Sequence, residues 1–423
     1  MSPGKSLAKT QRSFLRRWCR WIFAVLLLTA GIVGVPWWNE RPLREAERLL
    51  AADAPEACLK VVDSFLKTDP KNSRAIALKA RALVNLGDAN GAIRLIDQVG
   101  AATPEEMHAY AKACLILERW TTALGILELL VSLSPNDPDL LHELSACAAK
   151  LGRYERAVET ATSFSRTPGN QARGYALIGM LERDRGNNQK CCDAWKKVLE
   201  SQPEAAELQI EPHEFFLEYG KALLLTGNAR EAETMLERSV AKSETADALA
   251  YLGKTKMQLG KATEAEANLN TAVQKKSESR VAREGLAELA MQKGDFQKSL
   301  EWLKPLQVQP DLKSSTAFLL QRTYTLLKDP ENAVKWKQEM ARIRKLEEMR
   351  VNMEQVIINS PDSLWAQVFQ SYMLAEQGNL SQASMVLAPF MKNDAPEFLQ
   401  LLWKSLQDGS PLPTLDKIPM EVF

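Results

Sequence analysis

The sequence predicts an all-α fold, an α-solenoid of about ten stacked helix pairs preceded by a single transmembrane helix. Three observations carry that expectation. A two-helix pattern recurs down the chain with a period of about 34 residues, the range of stacked-repeat architectures. Small residues, glycines and prolines recur in phase with it. One long apolar run, at residues 21–38, stands ahead of the repeats behind six basic residues.

The N-terminal elements come first. Residues 1–20 contain Lys5, Lys9, Arg12, Arg16, Arg17 and Arg20 and no acid. The run WIFAVLLLTAGIVGV follows and extends through Pro36 to Trp38. Eighteen residues at a helical rise of ~1.5 Å span roughly 27 Å, enough for a thin or average bilayer. Nine of the eighteen are Leu, Ile, Val or Phe, and none is charged. Trp18 and Trp21 at one end, and Trp37 and Trp38 at the other, suit the two membrane interfaces. Residues 39–48 carry three charges of each sign, so the charge bias keeps residues 1–20 in the cytoplasm and sends the repeats across the membrane. The expected localisation is a cell (inner) membrane, crossed once. A cleaved signal peptide is the alternative, because a basic stretch before an apolar core also fits a leader. No convincing small-x-small cleavage site precedes Trp37, and Cys19 lies before the apolar run, where a lipoprotein cysteine would not. Residues 39–42 then serve as a linker.

The repeat is plainest at residues 245–277. Leu249, Leu252, Gly253 and Lys256 stand at helical spacing, Leu259-Gly260-Lys261 interrupts, and Ala265, Leu269 and Ala272 resume on a second helix. Apolar residues at i, i+3, i+4 and i+7 define one buried face per helix. Glycine after the last periodic residue is a helix stop. Neither helix buries its face alone, so units stack on their neighbours.

The second helices align on Cys58, Ala92, Ala123, Ala157, Cys191, Ala232, Ala265, Ser299, Ala333 and Ala383. Five of the nine intervals share one length, that from Cys58 to Ala92. Five residues earlier stand Gly87, Gly152, Gly186, Gly227, Gly260, Gly294 and Gly378. Twelve earlier stand Ala46, Ala80, Ala111, Ser145, Gly179, Gly220, Gly253, Ala287 and Ser371, with Gln321 the exception. Small residues at both places let paired helices approach closely. Pro70, Pro104, Pro135 and Pro203 stand twelve residues after the small residue, and Pro168 and Pro310 eleven after it. Proline there ends one unit and starts the next.

This ladder resembles the tetratricopeptide repeat. The resemblance runs from Leu43 to about Asn393, nearly 85 per cent of the chain. It implies a right-handed superhelix with a concave groove lined by the first helices, a shape that binds peptides or partner proteins. Units six, seven and nine lack the terminal proline, and unit one has a short first helix, as suits an end cap.

The array is expected over residues 43–407, with two insertions. The interval from Cys191 to Ala232 exceeds the common length by seven, the extra residues falling near 204–213. The interval from Ala333 to Ala383 adds sixteen, and there the second helix runs on over about 331–358. Trp336, Met340, Ile343, Leu346, Met349, Met353 and Val356 recur along it every three or four residues. That stripe either packs on unit ten or forms an amphipathic arm that pairs with another chain. Residues 397–406 should cap the array. Residues 408–423, with Pro411, Pro413 and Pro419, read as an extended tail.

Composition bounds the function. A chain of 423 residues exceeds one compact core, but a repeat array grows in one dimension. Apart from residues 1–20, 48 basic residues face 53 acidic ones, which argues against nucleic-acid binding. His108, His142 and His213 join no acid or cysteine cluster. No phosphate-cradling glycine loop, nucleophile elbow or two-His helix motif occurs. No cofactor or metal is expected, and the chain is read as a non-enzyme. Cys58 and Cys191 occupy small-residue slots, and Cys114 and Cys147 sit in first helices, all as small buried hydrophobes. Cys191 and Cys192 point about 100° apart on their helix, which disfavours a mutual disulfide.

The reading is a membrane-anchored scaffold that holds other proteins on the extracytoplasmic side. Two alternatives stay open: an accessory subunit of a membrane enzyme or export machine, and a secreted peptide-binding protein. One residue after the small first-helix position stand Arg81, Lys112, Lys221, Lys254 and Arg322, where the resemblance places the groove. Glu47 and Glu288 interrupt this stripe in units one and eight. Four residues earlier stand Ala77, His108, Leu217, Ala250 and Phe318, so the family's Lys and Asn carboxylate clamp is not reproduced. The stripe is expected either to lie solvated over the core or to take an extended acidic segment of a partner.

Overall fold

The computed structural model describes residues 40–309, 311–392 and 395–422. The basic segment and the apolar run at 21–38 lie outside the described residues. Among the described residues no helix is long and apolar enough to cross a membrane. The chain divides into two units, residues 1–135 and 136–423. The described residues form twenty-one α-helices, arranged as ten pairs and a cap.

The first unit holds three pairs: α1 (Arg41–Ala51) with α2 (Pro55–Leu66), α3 (Ser73–Asn85) with α4 (Ala89–Val99), and α5 (Pro104–Ile116) with α6 (Trp120–Leu133). The second unit continues with α7 (Pro138–Lys150) and α8 (Tyr154–Ser165), α9 (Gln171–Asp184) and α10 (Asn188–Ser201), and α11 (Pro212–Leu225) and α12 (Ala229–Lys242). Next come α13 (Ala246–Gln258) and α14 (Ala262–Lys275), then α15 (Arg280–Gln292) and α16 (Phe296–Leu303). The ninth pair is α17 (Ser314–Leu326) and α18 (Pro330–Asn359), the tenth α19 (Leu364–Glu376) and α20 (Leu380–Leu387), with α21 (Glu397–Asp408) beyond.

Local chemistry starts these helices. Asn72, Asp137, Thr245 and Ser363 accept an N–H of the first turn with their side chains. Thr103 and Glu106 satisfy each other's backbone at the start of α5. Such caps quench N–H groups that have no partner inside the helix. Proline shortens two second helices. Pro305 and Pro389 turn the ends of α16 and α20 into 3-10 segments.

The turn inside every pair has one geometry, whatever the residue. Gly87, Gly152, Gly186, Gly227, Gly260, Gly294 and Gly378 take φ between +72° and +85°. Asp53, Glu118 and Lys328 stand at the same place in units one, three and nine, at φ +54°, +56° and +59°. The left-handed turn is therefore imposed by the pairing, and in three units a side chain is carried through it.

The small ladder is the line of closest approach. Nine of the ten second-helix positions are wholly buried, and Ala333 alone is only half-buried. Gln321, the large exception on the first helix, belongs to that same pair. A Cβ added at Gly220 would stand 2.6 Å from Leu236 Cγ, and one at Gly253 would stand 2.6 Å from Leu269 Cγ. At Gly179 it would strike the indole of Trp195, whose Nε1 donates to the Ala176 carbonyl at 3.1 Å.

Both insertions are packed. The loop after α10 is held by Arg238, which donates to the Pro203 carbonyl, and by Lys242, 2.7 Å from Glu204. Helix α18 buries Trp336 and Ile343 beside α17, and then Leu346, Met349, Met353 and Val356 against the core of pair ten and the cap. Its stripe is spent inside the molecule, and no arm projects. The tail is also docked, contrary to the extended form expected from its prolines. It forms 3-10 turns at Leu415–Lys417 and Met420–Val422, with Leu415 and Ile418 buried in the terminal core. Proline excludes an α-helix there but leaves the apolar side chains free to seek cover.

Candidate binding groove on the first-helix face

Successive first helices touch one another: α1 with α3 and α3 with α5 in the first unit, and α11, α13, α15 and α17 in series in the second. Among the described residues no two successive second helices make comparable contact. A stack that is tighter along one edge bends toward that edge, so the first helices line the inner side of each bend.

Within the second unit the stripe residues follow this inner side, on α11, α13, α15 and α17. Lys221 is already engaged. Its Nζ donates to Glu218 Oε1 at 2.7 Å and stands 4.9 Å from the centre of the Tyr251 ring. Glu218 also accepts from Arg183 at 3.2 Å. Lys254 and Arg322 are exposed, and neither has an ion-pair partner within 4.0 Å among the described residues. Glu288 stands at the same register on the helix between theirs. Burial, chiefly, pushes its carboxyl up, with the Glu284 charge adding, while Lys254 and Arg322 pull it down. By surface area Glu288 is exposed.

The acid one turn earlier has a different task. Glu284 is buried and accepts from the hydroxyls of Ser315 and Thr316. It ties α15 to α17 and thereby fixes the spacing between Glu288 and Arg322.

Arg81 and Lys112, both half-buried, belong to the first unit, on α3 and α5. Arg81 lines a cavity of ≈ 600 Å³ together with Glu47, Arg74, Glu105 and Glu106. Arg74 pairs with Glu47 at 2.9 Å and with Glu40 at 3.3 Å. The sequence stripe thus resolves into two patches of different character: a mixed-charge pocket around Arg81, and in the second unit two exposed cations flanking Glu288.

Glu218, Arg183 and Tyr251 escape the sequence reading. One signal was present, since Glu218 and Lys221 have the i, i+3 spacing of a helical ion pair. Tyr251 and Arg183 lie on other helices, and no spacing along the chain relates them to Lys221.

The arrangement suits ionic capture. Among the described residues no three His, Cys, Asp or Glu side chains gather as a metal site. His142 packs against Phe164, with ring centres 5.5 Å apart. Cys58, Cys114, Cys147, Cys191 and Cys192 are free thiols and buried, and burial, the main cause, pushes Cys191 up to about 12.

Two stretches of the chain match tetratricopeptide-repeat family models, residues 48–114 and 252–307. These stretches are tetratricopeptide repeats. No curated protein matches the chain. Among solved structures, the C-terminal part of a repeat-containing protein from Cytophaga hutchinsonii is 14% identical, covering 58% of this chain and 99% of its own at a TM-score of 0.47. A tetratricopeptide-repeat protein from Parabacteroides merdae is 15% identical, covering 60% of this chain and 98% of its own at a TM-score of 0.39. YrrB, described as having an unusual peptide-binding site, is 15% identical, covering 50% of this chain and 97% of its own at 0.37. At these scores the likenesses carry no argument about function.

Proposed function

We propose that the chain is a protein-interaction scaffold, held at a membrane by residues 21–38 with its repeats on the extracytoplasmic side, and without catalysis of its own. The inner side of α11–α17 takes an extended acidic segment of a partner protein. The observation that carries this reading is the pair of exposed cations Lys254 and Arg322, neither with an ion-pair partner within 4.0 Å among the described residues, on the side along which α11, α13, α15 and α17 touch in series. Each exposed contact contributes on the order of 1 kcal/mol or less, so capture needs several at once and weakens with salt. The anchor rests on the apolar run and its basic flank.

Two experiments test the two halves. A fluorescent Glu-rich peptide titrated into the full chain should bind, with a Lys-rich peptide as control. Lys254→Glu with Arg322→Glu should abolish binding at unchanged helical content. Undiminished binding by the double variant would remove the groove from consideration. Membrane fractionation with N-terminal sequencing decides the anchor against a cleaved leader, which the basic segment before the apolar run also fits. A reporter active only outside the cytoplasm, fused after Phe423, should be active.

A further inference from the structure

Six of the seven turn glycines are exposed, and a Cβ added to any of the six would meet nothing within 4 Å. Gly152, between α7 and α8, is the exception. It is buried, and a Cβ there would stand 3.0 Å from Ile357 Cγ2, 3.2 Å from the Ile357 carbonyl oxygen and 3.6 Å from Gln370 Nε2. Beside it, Arg153 Nη2 donates to both carboxylate oxygens of Asp362, at 2.9 and 3.2 Å. The next residue, Tyr154, has its hydroxyl pushed up by burial first, then by the charges of Asp184 and Glu354. Two consecutive residues of the unit-four turn, Gly152 and Arg153, therefore meet Ile357 near the end of α18, Asp362 just after it and Gln370 on α19, some 209 residues away along the chain. Both sides belong to the second unit.

We propose that residues 152–153 and 357–370 form a clasp that closes the circuit of helices from α8 to α18, and that it opens reversibly. The contact is small. Its ion pair is exposed on the Asp362 side, where 77% of the side chain is accessible. An exposed pair stabilises by about 1 kcal/mol at most, against the long contacts between neighbouring helices within each repeat. An array held shut by so little has two accessible states. It opens by small rotations summed over the intervening pairs, without breaking any pair. Resting on the groove reading above, the clasp also sets how widely the inner side of α11–α17 can open for a partner.

The test measures one distance in the full chain and uses no ligand, so failure of the groove reading leaves it standing. Spin labels go on Lys150→Cys and Asn359→Cys, both exposed positions flanking the clasp, in a Cys19→Ser background. The five described native cysteines are buried and stay unlabelled. At low salt a short-distance population should dominate over a longer one. Its ratio to the longer one should fall several-fold in 1 M salt, where the screening length falls to about 3 Å, and at least as far in Arg153→Asp at unchanged helical content. The exchange Arg153→Asp with Asp362→Arg should restore it. Absence of the short population at low salt, an unchanged ratio in 1 M salt or in Arg153→Asp, or no rescue by the exchange would each overturn the proposal.

Discussion

The hydroxyl of Ser145 donates a 2.9 Å hydrogen bond to the carbonyl oxygen of Ala157, and Ser371 does the same to Ala383 at 2.9 Å. The two residues of each pair are the small positions of the first and second helix. At these two crossings, where the first helix carries serine, the line of closest approach gains a buried polar tie and keeps its width. Ser145→Ala should cost about 0.5–1.5 kcal/mol, whereas Ser145→Leu should cost more by prying the helices apart. Denaturant melts of the two variants check the order; no cost for Ser145→Ala would mean the hydroxyl is irrelevant, and equal costs would mean the crossing tolerates bulk.

Gly253 tests the ladder at a close crossing. With Leu269 Cγ 2.6 Å from where a Cβ would stand, Gly253→Leu overpacks the pair and should cost ~1–3 kcal/mol. Because stability in a stacked array passes between neighbours, hydrogen exchange should quicken in α11–α12 and α15–α16 as well as in α13–α14. An unchanged melt would place the ladder one residue out of register.

The three turns without glycine point the other way. Lys328 holds φ +59° with a full side chain, a conformation that costs an ordinary L-residue roughly 1–2 kcal/mol. Glycine removes that strain but raises the entropy of the unfolded chain. Lys328→Gly should therefore stabilise by up to about 1 kcal/mol, and Glu118→Gly likewise. A lower melting temperature in both would show that these side chains contribute contacts larger than the strain.

Glu288 gives a pH signature. Its carboxyl is raised in the folded protein, by burial first, so the folded state favours the protonated form. Stability from this group is present below the unfolded carboxylate pKa and is lost as pH rises through the higher folded value. Glu288→Gln should remove that loss, so the wild type falls behind the variant on going from acid to neutral pH. The same variant should strengthen capture of an acidic peptide at neutral pH. Parallel pH profiles for the two proteins would contradict the environment described for Glu288.

The buried thiols make the last prediction. With Cys191 pushed up to about 12 and all five described cysteines buried, neutral pH supplies neither thiolate nor access. Peptide mapping after brief alkylation should find the five unmodified in the native protein and modified in denaturant. Native labelling of any of them would reveal local opening of its pair.

The sequence by itself determined the helix pairs, their order and their line of contact, because those features are local. A recurring unit length, a small residue at each crossing and a turn after each first helix are all properties of consecutive residues. The turn at Lys328 shows that even where the glycine signal is missing, the neighbouring pattern dictates the backbone. Only the tertiary structure decided which stripe residues are free to act. Lys221 and Lys254 look equivalent along the chain, yet Glu218 and Tyr251 hold the first while the second stands open. It also decided where the α18 stripe is buried and that the tail docks. The meeting of Arg153 with Asp362 could not be read from spacing at all. Each repeat adds a small rotation to the last, and which distant residues finally meet depends on the sum of those rotations, to which no single repeat's sequence gives access.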